Sequence, residues 1–190
     1  MKDLFEVAWH GRGGQGAVTA AKLLAESAIR EGKNIQAFPE FGAERTGAPV
    51  RSFTRISTAP ITIHCAITTP DCVIVLDSTL LDVVDVSEGL KPDGIVVVNT
   101  SHSPKEIRDK IGLKGGKVFT VDATTISVEK LGRNIPNMPM VAAMIKVTGI
   151  IKLENLTDTF KENYAKKFTP EVIKGNLDAI EQAHKEVKSE

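Results

Sequence analysis

Gly11-Arg12-Gly13-Gly14-Gln15-Gly16 stands directly between the apolar run Leu4 to Trp9 and an alanine-rich stretch. A strand, a glycine turn and a helix start in that order commit a chain to an α/β crossover. Glycines 11, 13 and 16 fit the G-x-G-x-x-G spacing. The first permits a tight turn, the second lets backbone approach an anion, and the third lets helix and strand pack closely. The helix expected over 16–31 aims unpaired N–H groups and its positive dipole end at the same spot. Arg12 adds a cation inside the loop. The spacing alone is also compatible with a plain structural turn that holds nothing.

Beyond this turn, apolar runs alternate with helical patterns, which predicts a three-layer α/β/α sandwich on a mainly parallel, mixed, Rossmann-like sheet. Strands are expected at 4–9, 34–38, 50–56, 61–67, 72–76, 94–98 and 117–121, with 50–56 and 61–67 forming an antiparallel hairpin. Helices are expected at 80–86, 105–111 (Ser103 as N-cap, Pro104 first), 123–131, 140–151, 156–168 and 171–188. Past Pro139 no strand is expected, so the carboxyl-terminal part reads as a helical extension of one domain, 1–190.

The second chemical stretch is Glu40 to Arg51, which follows the second strand. In an open sheet it emerges at the same carboxyl edge as the glycine turn. Arg45 and Arg51 have the guanidinium geometry that clamps phosphate, although Glu40 and Glu44 offer them partners within the loop. Glu40 could serve as the acidic ribose ligand of a dinucleotide site, but the arginines behind it speak against that. His10 abuts the turn as a spacer or a ligand contact, His64 reads as strand packing, and His184 as solvated.

Composition narrows the function classes. Lysine plus arginine and aspartate plus glutamate balance at 24 each, so no global charge points to nucleic acid or a membrane surface. One Trp, one Tyr and seven Phe make base-stacking platforms an unpromising reading. The start Met1-Lys2-Asp3 lacks a signal h-region and no apolar run approaches a membrane span, which predicts a cytoplasmic protein. Cys65 and Cys72, expected as buried reduced thiols, are too few for a [4Fe–4S] cluster. No catalytic motif and no metal-ligand set is visible.

The glycine turn with its following Ala-Ala-Lys-Leu-Leu-Ala, and the run Phe38 to Arg51, together resemble the gamma subunit of pyruvate (or 2-oxoacid):ferredoxin oxidoreductases. The resemblance runs from about Val7 to about Asn176 and includes 71–77 and 137–149. Some relatives carry Arg-Gly-Gly where this chain has Arg45-Thr46-Gly47-Ala48, which is similar to the pyruvate branch. The resemblance implies a complex that decarboxylates a 2-oxoacid to an acyl-CoA and reduces ferredoxin. Alpha, beta and delta subunits are implied as partners, holding thiamine diphosphate, magnesium and [4Fe–4S] clusters, with no cofactor on this chain alone. Coenzyme A is the implied cosubstrate near Gly11, Arg12, Gly13, Gly14, Gln15, Gly16, Glu44, Arg45, Thr46, Gly47 and Arg51. Two other readings stay open: a stand-alone NAD(P)-binding oxidoreductase and a purely structural subunit.

Overall fold

A computed structural model describes residues 4–40 and 47–190 of the chain. Its elements run β1 (Leu4–Arg12), α1 (Ala17–Ile29), β2 (Asn34–Pro39), β3 (Pro49–Ser57), β4 (Cys72–Val75), a 3-10 turn (Ser78–Asp82), β5 (Ile95–Asn99) and α2 (Pro104–Ile111). They continue with β6 (Lys117–Val121), α3 (Ala123–Leu131), α4 (Asn137–Thr148), α5 (Leu153–Tyr164), α6 (Pro170–Glu186) and β7 (Lys188–Ser189). The strands form one mixed sheet in the order β2-β3-β1-β4-β5-β6-β7.

Strands β1, β4, β5 and β6 are parallel. β3 runs antiparallel to both β1 and β2, so β2 points the same way as β1. The carboxyl ends of β1, β2, β4, β5 and β6 therefore share one rim, as the loop argument requires. β4 is buried throughout and β5 nearly so, the pattern of strands covered on both faces.

The two faces are unequal. Val7, Trp9 and Ile56 look toward a core built from α1, α3, α4, α5 and α6. Ala8, Phe53, Val73 and Val75 look toward α2, the 3-10 turn and Ile67. On the thicker side, Trp9 Nε1 donates to Thr54 Oγ1 and that hydroxyl donates to the Ala21 carbonyl, each at 3.0 Å. This buried chain ties β1, β3 and α1 together, since unpaired polar groups there would cost stability.

Four expectations need correction. Residues 61–67 form no strand, because β3 already has β1 on one edge and β2 on the other and no edge is left for a hairpin. Residues 80–86 shorten to the 3-10 turn, started by Asp77, whose carboxylate accepts from Thr79 N–H. A strand does follow Pro139: Lys188 and Ser189 pair with Thr120 and Phe119. Cys72 is buried but Cys65 is exposed, as is His64, both in the loop that replaces the expected strand.

Candidate functional site

At the rim, the chain leaves β1 through the glycine turn and enters α1 at Gly16, whose φ of 80° is left-handed. That conformation favours glycine. Gly16 provides no side-chain cap, and the first turn of α1 carries no acidic residue. Its orphan N–H groups and dipole end are thus left for another acceptor.

A second helix start meets this one. α4 begins at Asn137 with no side-chain cap and no acid in its first turn. A β-carbon on Gly16 would stand 2.5 Å from Asn137 Nδ2. Asn137 is 7% exposed; its Oδ1 accepts from Met138 N–H at 2.9 Å, which leaves the amide nitrogen directed at Gly16. Pro136 and Pro139 have no N–H and Met140 N–H donates to Pro136 O, so the start of α4 adds the Asn137 N–H, the Asn137 amide and its dipole end to the open N-terminus of α1, a combination suited to an anion. The helical pattern predicts this helix only from 140, and Asn137 enters the sequence reading only within the segment 137–149 that carries the resemblance. A proline before a helix that opens Asn-Met-Pro gave no direct signal of where that helix starts in space.

The rest of the turn is stitched to its surroundings. Gly13 N–H donates to Ala48 O at 2.9 Å and Gly13 O accepts from Gly47 N–H at 3.2 Å. Gly13 therefore continues the β1–β3 ladder, and its N–H does not point to an open anion site. Gly14 (φ 97°) has open space where a side chain would go. Gln15 Oε1 accepts from Arg12 N–H at 2.8 Å, and Gln15 Nε2 donates to Asp77 Oδ2 at 2.7 Å. Gly11 lies 3.3 Å, as a virtual β-carbon, from the Ala17 methyl, which explains the close packing of strand and helix.

Arg12 faces the 3-10 turn. Its Nε and Nη2 donate to Thr79 Oγ1 at 3.1 and 2.7 Å, and Nη1 donates to Gly47 O at 3.1 Å. Asp77 Oδ2 is 3.4 Å from Nε. Burial works against the Asp77 charge, but bonds from Thr79 and Gln15 and the Arg12 charge hold its carboxyl below the usual range. Arg51 is forked on Glu40, with Nε and Nη2 each 2.5 Å from a carboxylate oxygen, so the ribose-ligand role of Glu40 finds no support in this arrangement. Glu44, Arg45 and Thr46 lie outside the described residues. The residues that flank them, Glu40 and Gly47, both sit at the rim.

Among the described residues no group of three His, Cys, Asp or Glu side chains is arranged to hold a metal. No described helix is long and apolar enough to cross a membrane.

The fold and rim define a Rossmann-like α/β chain with a glycine turn at the carboxyl edge of its sheet. Residues 6–186 match the family described as pyruvate ferredoxin/flavodoxin oxidoreductase. Pyruvate synthase subunit PorC of Thermotoga maritima is 48% identical over 187 residues, 98% of this chain and 96% of its own. The Pyrococcus furiosus pyruvate/ketoisovalerate oxidoreductases common subunit gamma is 49% identical over 185 residues, 97% of this chain and 98% of its own. The crystal structure of the T. maritima pyruvate oxidoreductase subunit PORC has a TM-score of 0.87 at 45% identity, over 99% of both chains. The chain belongs to this oxidoreductase family, as a subunit of the gamma type.

Proposed function

We propose that the chain works in a pyruvate:ferredoxin oxidoreductase, where it binds the phosphates of coenzyme A and helps hold the complex together. The convergence of the α1 and α4 N-termini at Gly16 and Asn137 carries the coenzyme A part. Gly14 offers open space beside them, and among the described residues two of the five Arg12 guanidinium N–H groups have no partner and are available to a ligand. Arg45, Glu44 and Thr46 are proposed to complete the site, with Gly11, Gly13, Gln15, Gly47 and Arg51 as its frame. Alpha, beta and delta chains are the proposed partners. They would hold thiamine diphosphate with magnesium, which supplies the decarboxylation chemistry, and the clusters that pass electrons to ferredoxin.

The Pyrococcus furiosus relative is named as common to a pyruvate and a ketoisovalerate enzyme. By the same logic the 2-oxoacid pocket lies on other chains, and this subunit serves the step that all 2-oxoacids share, transfer to coenzyme A. A cytoplasmic setting suits such a reaction.

One observation favours a different reading. The Gln15–Asp77 and Arg12–Thr79 bonds span the crevice between α1 and the 3-10 turn, as a purely structural turn would. Calorimetric titration of the assembled complex with coenzyme A, NAD and NADP decides. Binding of coenzyme A alone, lost in Asn137→Ala, supports the proposal. NAD binding would make the turn a dinucleotide site instead, and no binding to wild type would leave the turn structural.

A further inference from the structure

The imidazole of His10 is the feature of this rim that the phosphate site leaves unused. His10 is 5% exposed and shares the sheet face of Ala8, opposite α1. Its ladder partner is Arg51, and the charges of Glu40 and Asp85 also act on it. No described residue hydrogen-bonds the ring. Among the described residues, the side-chain polar atoms both sealed from solvent and unpaired are Ser52 Oγ and Thr120 Oγ1, so the His10 nitrogens keep a path to the surface. A neutral imidazole carries one donor and one acceptor, and leaving both without partners in a buried place is costly.

The surroundings restrict what can pair with it. Arg51, across the ladder, is forked on Glu40, so neither serves the ring as a partner. A neutral imidazole matches a group that both donates and accepts, as an amide or a hydroxyl does.

Position supplies the rest. His10 lies one residue before Gly11, beside the crevice where the covering element changes from α1 on one face to the 3-10 turn on the other. Ligands of open α/β sheets occupy such crevices. We infer that His10 hydrogen-bonds an uncharged amide or hydroxyl of the pantetheine arm of coenzyme A, an inference that rests on the phosphate site at Gly16 and Asn137. The charged end of the ligand then meets the helix N-termini, and its neutral arm passes His10.

The test uses the assembled oxidoreductase with two ligands: coenzyme A, and adenosine 3′,5′-bisphosphate as a competitor that has phosphates but no arm. His10→Phe should raise KM for coenzyme A about three- to tenfold, the loss of one hydrogen bond. The inhibition constant of the bisphosphate and KM for the 2-oxoacid should stay put. His10→Asn, which keeps a donor and an acceptor, should recover most of the loss. Should the Phe variant fail to assemble, His10→Ala with added imidazole replaces it, and imidazole should restore the coenzyme A affinity. Equal changes for both ligands, or none for either, would overturn the inference. Asn137→Ala separates the layers. If that variant leaves both constants unchanged, the phosphate site itself is refuted; if it responds while His10 variants do not, only the arm contact is.

Discussion

Gly16 and Asn137 meet so closely that a β-carbon on the first would lie 2.5 Å from the amide nitrogen of the second. The residue ahead of α1 and the first residue of α4 therefore fix each other, although 121 positions separate them in the chain. This contact sets two helix starts side by side, an arrangement that neither helix could create alone.

Gly16→Ala should damage both folding and binding. A β-carbon in the left-handed region costs about 1–2 kcal/mol, and the clash with Asn137 adds to it. Urea unfolding should show the loss, and KM for coenzyme A should rise in the assembled enzyme. Combining it with Asn137→Ala should recover part of the stability but none of the binding, the coupling expected of touching residues. Wild-type stability in the single variant would contradict the contact.

Local signals made much of this fold readable. The Ser103 cap, with Pro104 behind it, marked α2, and the structure adds the reciprocal bond, Ser103 N–H donating to the Glu106 carboxylate, that completes a capping box. Gly132 marked the end of α3 in the same way. Long-range choices were not readable. The apolar residues Ile61, Ile63 and Ile67 look like a strand, yet strand formation needs a free neighbour, and β3 had none. The same holds for the site. The turn at 11–16 announced itself through glycine spacing, whereas Asn137 became part of it only through the packing of α4. Gly13, chosen by the spacing rule as the anion-facing residue, is instead bonded into the ladder.

Asp77 competes with any anion for Arg12, so Asp77→Asn should lower KM for coenzyme A while it lowers stability. Added salt should shrink the KM gain. The pH dependence has a definite sign. The Asp77 carboxyl is held below its ordinary value, so its contribution is present above the unfolded value near 4 and fades as pH falls through the folded one. The stability gap between wild type and variant should be level from pH 7 to about 5 and narrow below about 4. A KM that rises in Asp77→Asn would mean that the carboxylate orients Arg12 for the ligand.

His10 predicts a slope of opposite origin. Burial and the neighbouring Arg51 lower its value from 6.5 to about 4. The unfolded chain then binds a proton that the folded chain refuses, so stability falls as pH drops from 6.5 to 4. The total is roughly 3 kcal/mol at most. His10→Phe should flatten this part of the profile in urea titrations. An unchanged slope would show that the imidazole titrates freely in the folded protein.

The carboxyl-terminal strand gives a prediction confined to stability. Arg108 on α2 donates to the carbonyls of Leu113 and Gly116, each at 3.0 Å, and forks onto the Glu190 carboxylate. One guanidinium thus closes the α2–β6 turn and holds β7 against β6, a pairing of only two residues. Such a short edge strand has little ladder energy of its own. Arg108→Ala should lower Tm by several degrees, since it removes carbonyl partners and the ion pair together. Glu190→Gln should cost less, because the carbonyl bonds survive. Hydrogen exchange should localise both effects: amides of β7 and of 112–117 lose protection, while those of β1 and α1 at the proposed coenzyme A site do not. Loss of protection at Gly16 in Arg108→Ala would mean that the far edge of the sheet and the glycine turn open as one unit, and the separation argued here would be wrong.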